Sequence, residues 1–129
     1  MLSAGRSTAA SSNNSPYLSG NLTDGNQGTY WESTNNTFPQ WAQVDLGTAA
    51  TVEDLVLKLP TGWETRSQTL SVQSSTDGSA FSTIKASQAY AFNPASGNTV
   101  TIDVPDTSAR YVRVQITANT GWPLSLIHI

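Results

Sequence analysis

The chain is predicted to be all-β, an antiparallel β-sandwich of the jelly-roll kind. Apolar residues recur with a period of two rather than at helical spacing: Leu55, Leu57 and Leu59; Leu70 and Val72; Val100, Ile102 and Val104; Val112, Val114 and Ile116. Turn-forming pairs interrupt these runs about every ten residues, and nothing in the sequence has the length and pattern of a helical crossover, so the strands are expected to be antiparallel.

In chain order, the polar tract from Ser11 to Ser15 reads as a surface loop, and one helical turn is expected between Leu18 and Thr23 at most. Trp41-Ala42-Gln43-Val44-Asp45-Leu46-Gly47 is a short strand with Trp41, Gln43 and Asp45 on one face and Val44 and Leu46 on the other. A second strand runs from Leu55 to Leu59. It is preceded by Glu53 and Asp54, which alternation sends to opposite faces. Leu70 to Ser75 is closed by Asp77-Gly78, and Gly97-Asn98 suits another tight turn. Pro105-Asp106 is expected to end one strand before the next runs from Ala109 to Ala118.

The length of 129 residues fits one domain with a core that needs no covalent staple, in keeping with the absence of cysteine. Charged residues make up 12% of the chain and the net charge is −3 without any Lys/Arg cluster. This argues against nucleic acid and against an anionic membrane, which both depend on clustered cations, and it favours neutral ligands. Neither a secretory signal nor a membrane-length apolar run is present in the stretch given. Asn13-Asn14-Ser15, Asn21-Leu22-Thr23 and Asn35-Asn36-Thr37 match the glycosylation acceptor pattern, which such a composition produces by chance.

Catalysis has little to work with. The one histidine, His128, stands in an anomalous C-terminal segment, and no pair of carboxylates can be placed at glycosidase spacing. The loop Asp24-Gly25-Asn26-Gln27-Gly28-Thr29 has two readings side by side: an Asx turn, or a calcium site drawing on Asp24, Asn26 and Thr29 as oxygen donors. Trp31 and Trp41, in or beside strands, are expected in the core. Trp63 differs, lying in the loop Pro60-Thr61-Gly62-Trp63-Glu64-Thr65-Arg66. A flat indole beside a carboxylate and a guanidinium has the parts of a sugar site, stacking on the C–H face of a pyranose and bonding its hydroxyls. Trp122, between Gly121 and Pro123, and Tyr17 are further platforms; the alternative for Trp122 is a plug at the end of the sandwich.

The order of these segments, Asp24-Gly25-Asn26, Thr29-Tyr30-Trp31, Trp41 to Gly47, the Leu55 to Leu59 strand, Thr76-Asp77-Gly78-Ser79 and Ala109-Arg110-Tyr111-Val112-Arg113, resembles the discoidin or coagulation-factor type C domain. It is similar in particular to bacterial carbohydrate-binding modules of family thirty-two, with their galactose-binding-like sandwich. The resemblance spans residues 1–123. It implies a secreted, extracellular, non-catalytic module that binds polysaccharide or glycan and is tethered to a glycoside hydrolase, with the sugar site at Trp63, Glu64, Arg66, Trp122 and Tyr17. It further implies a structural calcium at Asp24, Asn26 and Thr29, helped in the family by a C-terminal Glu that this chain lacks. Residues 124–129 resemble a translated sequencing adapter, so a non-native tail and a weakened calcium site are expected. The rival function is an adhesion module of the same fold, with Trp63 and Trp122 as spikes into a cell surface or lipid.

Overall fold

The computed structural model describes residues 6–11, 31–32, 40–58, 66–93, 95, 99–119 and 124–128. Seven strands form one continuous antiparallel sheet: β1 (Ser7–Ala10), β2 (Trp31–Glu32), β3 (Gln40–Lys58), β4 (Arg66–Ser75), β5 (Ser82–Phe92), β6 (Thr99–Asn119) and β7 (Leu124–His128). The order is β2-β7-β3-β6-β4-β5, with β1 on β3. No α-helix occurs among the described residues.

Two strands are far longer than the sequence suggests. The runs at Trp41 and at Leu55 are one 19-residue strand, and those at Val100 and Val112 are one 21-residue strand. They pair along their length, from Gln40 opposite Ile116 to Lys58 opposite Thr99. The first half of β3 is flanked by β1 and the second by β7, while β4 pairs with the later half of β6. Register shifts between Asp45 and Ala50 and between Val52 and Asp54 separate the halves. Such irregularities bend a strand and let it pass from one layer of a sandwich to the other.

Burial shows that the halves face one another. Val44, Val112, Val114, Leu70 and Val72 from one half share a single buried cluster with Leu55, Leu57 and Ile102 from the other. Alternation supplies these residues as the sequence predicts, since every second side chain of a strand meets the core.

Three sequence expectations are corrected. Pro105 does not end a strand. The ladder passes from Asp54 opposite Asp103 to Val52 opposite Thr107, so Pro105 falls in the bulge between them, where no ladder donor is required. Thr107 Oγ1 donates to the Pro105 carbonyl at 2.6 Å across that bulge. Glu53 stands opposite the same bulge, and both Glu53 and Asp54 are exposed rather than on opposite faces, because the shift breaks the alternation. Trp41, thirdly, is half-buried on the outer face and is not a core residue.

The Asp77-Gly78 signal marks a wider turn than a two-residue hairpin. Asp77 Oδ1 accepts from the backbone N–H of Ser79 at 2.8 Å and of Ala80 at 3.0 Å, while Ser75 Oγ accepts from Gly78 N–H at 2.9 Å. Gly78 supplies the left-handed backbone, with φ of 80°. At the C-terminus, Leu124–His128 pairs with β2 and with the end of β3.

Candidate functional site

The family resemblance implies a sugar site on loops at one end of the sandwich. Trp63, Glu64, Trp122 and Tyr17 lie outside the described residues, as do Asp24, Asn26 and Thr29 of the calcium loop. Arg66 has a described backbone: it opens β4, opposite Phe92 of β5. Gln68 is opposite Tyr90 on one side and Asn119, the last residue of β6, on the other. Thus the strands from which the Trp63 and Trp122 segments leave are neighbours at the same edge.

That edge has a polar floor. Gln40, Gln68 and Tyr90 are buried there among the core aliphatics. Burial pushes the Tyr90 hydroxyl pKa up, and this hydroxyl has no hydrogen-bond partner among the described residues. Gln40 Oε1 accepts from Ser11 Oγ at 2.5 Å, which ties β3 to the residue following β1.

The outer face of the sheet carries a second group that sequence reasoning missed as a unit. Cross-strand register sets Gln43 opposite Arg113 on one side, and Gln73 opposite Arg113 on the other. Trp41 and Gln115 are paired in the next row. The Arg113 guanidinium carbon lies 4.1 Å from the Trp41 ring centroid and 3.8 Å from that of Phe81. Its Nε and Nη2 donate to Gln43 Oε1 at 3.1 and 2.9 Å, and Gln73 Nε2 donates to Gln115 Oε1 at 3.0 Å. This packing is why Trp41 does not need the core: its apolar ring is covered by the Arg113 guanidinium. The signal available in sequence was the alternation of Trp41 and Gln43 with that of Arg113 and Gln115, read together once the strands are paired.

Beside this cluster, Arg110 Nε and Nη2 donate to Asp45 Oδ1 and Oδ2 at 2.8 and 3.1 Å. The Arg110 hydrogen bond leads the causes that hold the Asp45 carboxyl below its ordinary pKa; the Gly47 N–H and the nearby charges add to it, against a smaller opposing effect of burial. Asp45 in turn raises the pKa of Arg110. No cluster of three or more acidic, histidine or cysteine ligands occurs among the described residues, and no described helix is long and apolar enough to cross a membrane.

Known proteins of the same fold cover almost the whole chain. Chitosan-binding module 1 of a chitosanase/glucanase from Paenibacillus sp. IK-5 matches with a TM-score of 0.77 and 24% identity, over 99% of this chain and 98% of that one. The module CBM32 of AlyQ, solved in complex with 4,5-unsaturated mannuronic acid, matches with a TM-score of 0.75 and 25% identity, over 92% and 88% of the two chains. A Clostridium perfringens module, CpGH89CBM32-5, solved with GalNAc-beta-1,3-galactose, reaches a TM-score of 0.81 at 17% identity, over 97% and 96%. No match was found among curated proteins. The F5/8 type C domain model matches residues 7–129, which takes in all seven strands and the paired long strands that bend between the layers, so the chain belongs to the F5/8 type C domain family.

Proposed function

We propose that this protein is a non-catalytic carbohydrate-binding module that holds a secreted glycoside hydrolase near its polysaccharide. The observation that carries the reading is that the chain matches self-contained modules from end to end, and that the names of those modules state chitosan, mannuronic acid or GalNAc-galactose as what they bind. The match is module to module, with nearly all of both chains aligned, and owes nothing to a catalytic domain.

In this reading the sugar lies at the loop edge, on Trp63 and Trp122, with Glu64, Arg66 and Tyr17 bonding its hydroxyls. Covering one indole face removes about 80–100 Å² from water, about 2 kcal/mol. Two platforms and a few hydrogen bonds, less the cost of association, give a Kd of about 10⁻³ to 10⁻⁵ M. Weak single-site binding suits a module that works through tethering, since a linked enzyme gains effective concentration without new contacts. In the same reading Asp24, Asn26 and Thr29 hold a structural calcium ion.

Pull-down with insoluble polysaccharides, followed by calorimetry with soluble oligosaccharides, tests the reading. Retention on at least one polysaccharide, lost in a Trp63→Ala/Trp122→Ala double variant, is the expected result. Co-sedimentation with liposomes and none with any glycan would replace it with the adhesion reading.

A further inference from the structure

Arg113 is held in place by three side chains and neutralised by none of them. Trp41 and Phe81 stack against its guanidinium, and its two described hydrogen bonds go to one neutral oxygen, Gln43 Oε1. The acid on the same face, Asp45, is engaged by Arg110 through both oxygens. Burial alone moves the Arg113 pKa, downward and with no carboxylate opposing it, yet a guanidinium stays charged at any physiological pH. A chain of net charge −3 therefore carries, in the middle of an outer sheet face, a rigid cation that no acid among the described residues compensates.

Around that cation the face is built of groups that bond hydroxyls. A guanidinium has five N–H donors, and the two used on Gln43 leave three without an acceptor among the described residues. Gln73 and Gln115 are joined amide to amide, which fixes both while leaving Gln73 an acceptor oxygen and Gln115 its donors. Strands lie about 4.8 Å apart and alternate residues about 6.7 Å, so the patch from Gln73 through Arg113 to Gln43, with Gln115 and Trp41 in the next row, spans roughly 10 by 7 Å. Two sugar rings fit that area.

We propose that the outer face centred on Arg113 is a second saccharide-binding surface, selective for a sugar bearing a carboxylate, a uronate. Arg113 takes the carboxylate, and Gln43, Gln73 and Gln115 take the ring hydroxyls. The inference rests on the carbohydrate-binding reading but uses none of the loop residues assigned there.

The test is a titration of the ¹⁵N-labelled full chain with trigalacturonate, and with its fully methyl-esterified form, following the Arg113 Nε–H and the side-chain amides of Gln43, Gln73 and Gln115 by NMR. These signals are expected to move with the acid, with at least tenfold weaker response to the ester and to the acid at 0.5 M salt, and to move equally in the Trp63→Ala/Trp122→Ala variant. Arg113→Gln is expected to weaken trigalacturonate binding at least tenfold. Should that variant fail to fold, the titration of the unmodified chain still decides. No movement of these signals at millimolar trigalacturonate, or equal movement with the ester, overturns the proposal. Neutral glycans bound at the loop edge with this face silent would leave the carbohydrate-binding function standing and this surface refuted; the reverse pattern would leave this surface standing and refute the loop-edge site.

Discussion

The ring of Tyr111 occupies the space that a side chain on Gly78 would need: a Cβ built there would meet Tyr111 Cζ at 3.0 Å. Tyr111 stands opposite Ser75 in the ladder, so the β4–β5 turn is clamped onto β6 by an aromatic resting on glycine backbone.

Gly78→Ala is therefore expected to destabilise the domain by about 1–3 kcal/mol, from the left-handed backbone at φ 80° and the displaced ring together. A melting temperature lower by roughly 3–10 °C would report it. Gly78→Asn separates the two causes. Asn tolerates the left-handed region, so it should recover part of the loss while the steric contact keeps the rest.

The core and the outer face should respond differently to truncation. Phe92 is fully buried, and Phe92→Ala is expected to cost about 3–5 kcal/mol because it leaves a cavity. Trp41→Ala removes a larger ring but opens no cavity, and its loss is limited to the stack with Arg113, about 0.5–2 kcal/mol. Urea denaturation of the two variants checks the ordering.

Acid should weaken the fold through two carboxylates. Asp77 is held below its ordinary pKa chiefly by the Ala80 N–H, then by that of Ser79 and by the Ser75 hydroxyl, and Asp45 chiefly by Arg110. A depressed folded pKa means that the unfolded chain binds the proton more readily. The stabilisation is thus complete above the unfolded value of about 3.9 and is lost as pH falls through the lower folded value. Asp77→Asn and Asp45→Asn should each differ from the parent at pH 7 in chemical denaturation, with the difference closing below about pH 4.

Binding at the loop edge should depend on its aromatics and its cation. Trp63→Ala is expected to weaken oligosaccharide binding by about 10- to 30-fold, the loss of one covered indole face at about 2 kcal/mol. Arg66→Ala should weaken it less, without a change in melting temperature. Calorimetry on the two variants checks both.

Calcium should stabilise the protein only slightly. Millimolar calcium over a millimolar Kd adds about 0.4 kcal/mol, a thermal shift of one or two degrees. Replacing residues 124–129 with a family-like terminal strand carrying a Glu should enlarge the shift, and Asp24→Ala should remove it from that protein. Melting indifferent to calcium in that variant would leave an Asx turn as the account of Asp24.

How much of this was legible follows from what alternation encodes. A period of two states which residues face inward, and Val44, Leu55, Leu57, Ile102, Val112 and Val114 are all buried as it predicts. It does not state whether a break in the pattern ends a strand or merely bends it. Pro105 therefore looks like a terminator although it sits in a bulge, and β3 and β6 each look like two strands although each is one. Trp41 shows a related limit. Its parity points outward while a tryptophan's preference for burial points to the core, and the partner that resolves the conflict, Arg113, lies 72 positions away in sequence. The proposed sugar and metal residues have no period at all, since loops are chosen for chemistry rather than for repeated packing, and they rest on residue type and resemblance.

The pairing of Gln40 with Ile116 and of Lys58 with Thr99 also dictates when the chain can finish folding. The hairpin of β4 and β5 closes locally, whereas the central seam between β3 and β6 must wait for partners 41 to 76 residues downstream. During synthesis at about 5–20 residues per second, β3 emerges several seconds before the strand that covers it, with Leu55 and Leu57 exposed throughout. The β3–β6 seam thus makes this a domain whose central strand waits uncovered for a distant partner, and one whose yield should depend on how quickly the β6 segment is delivered.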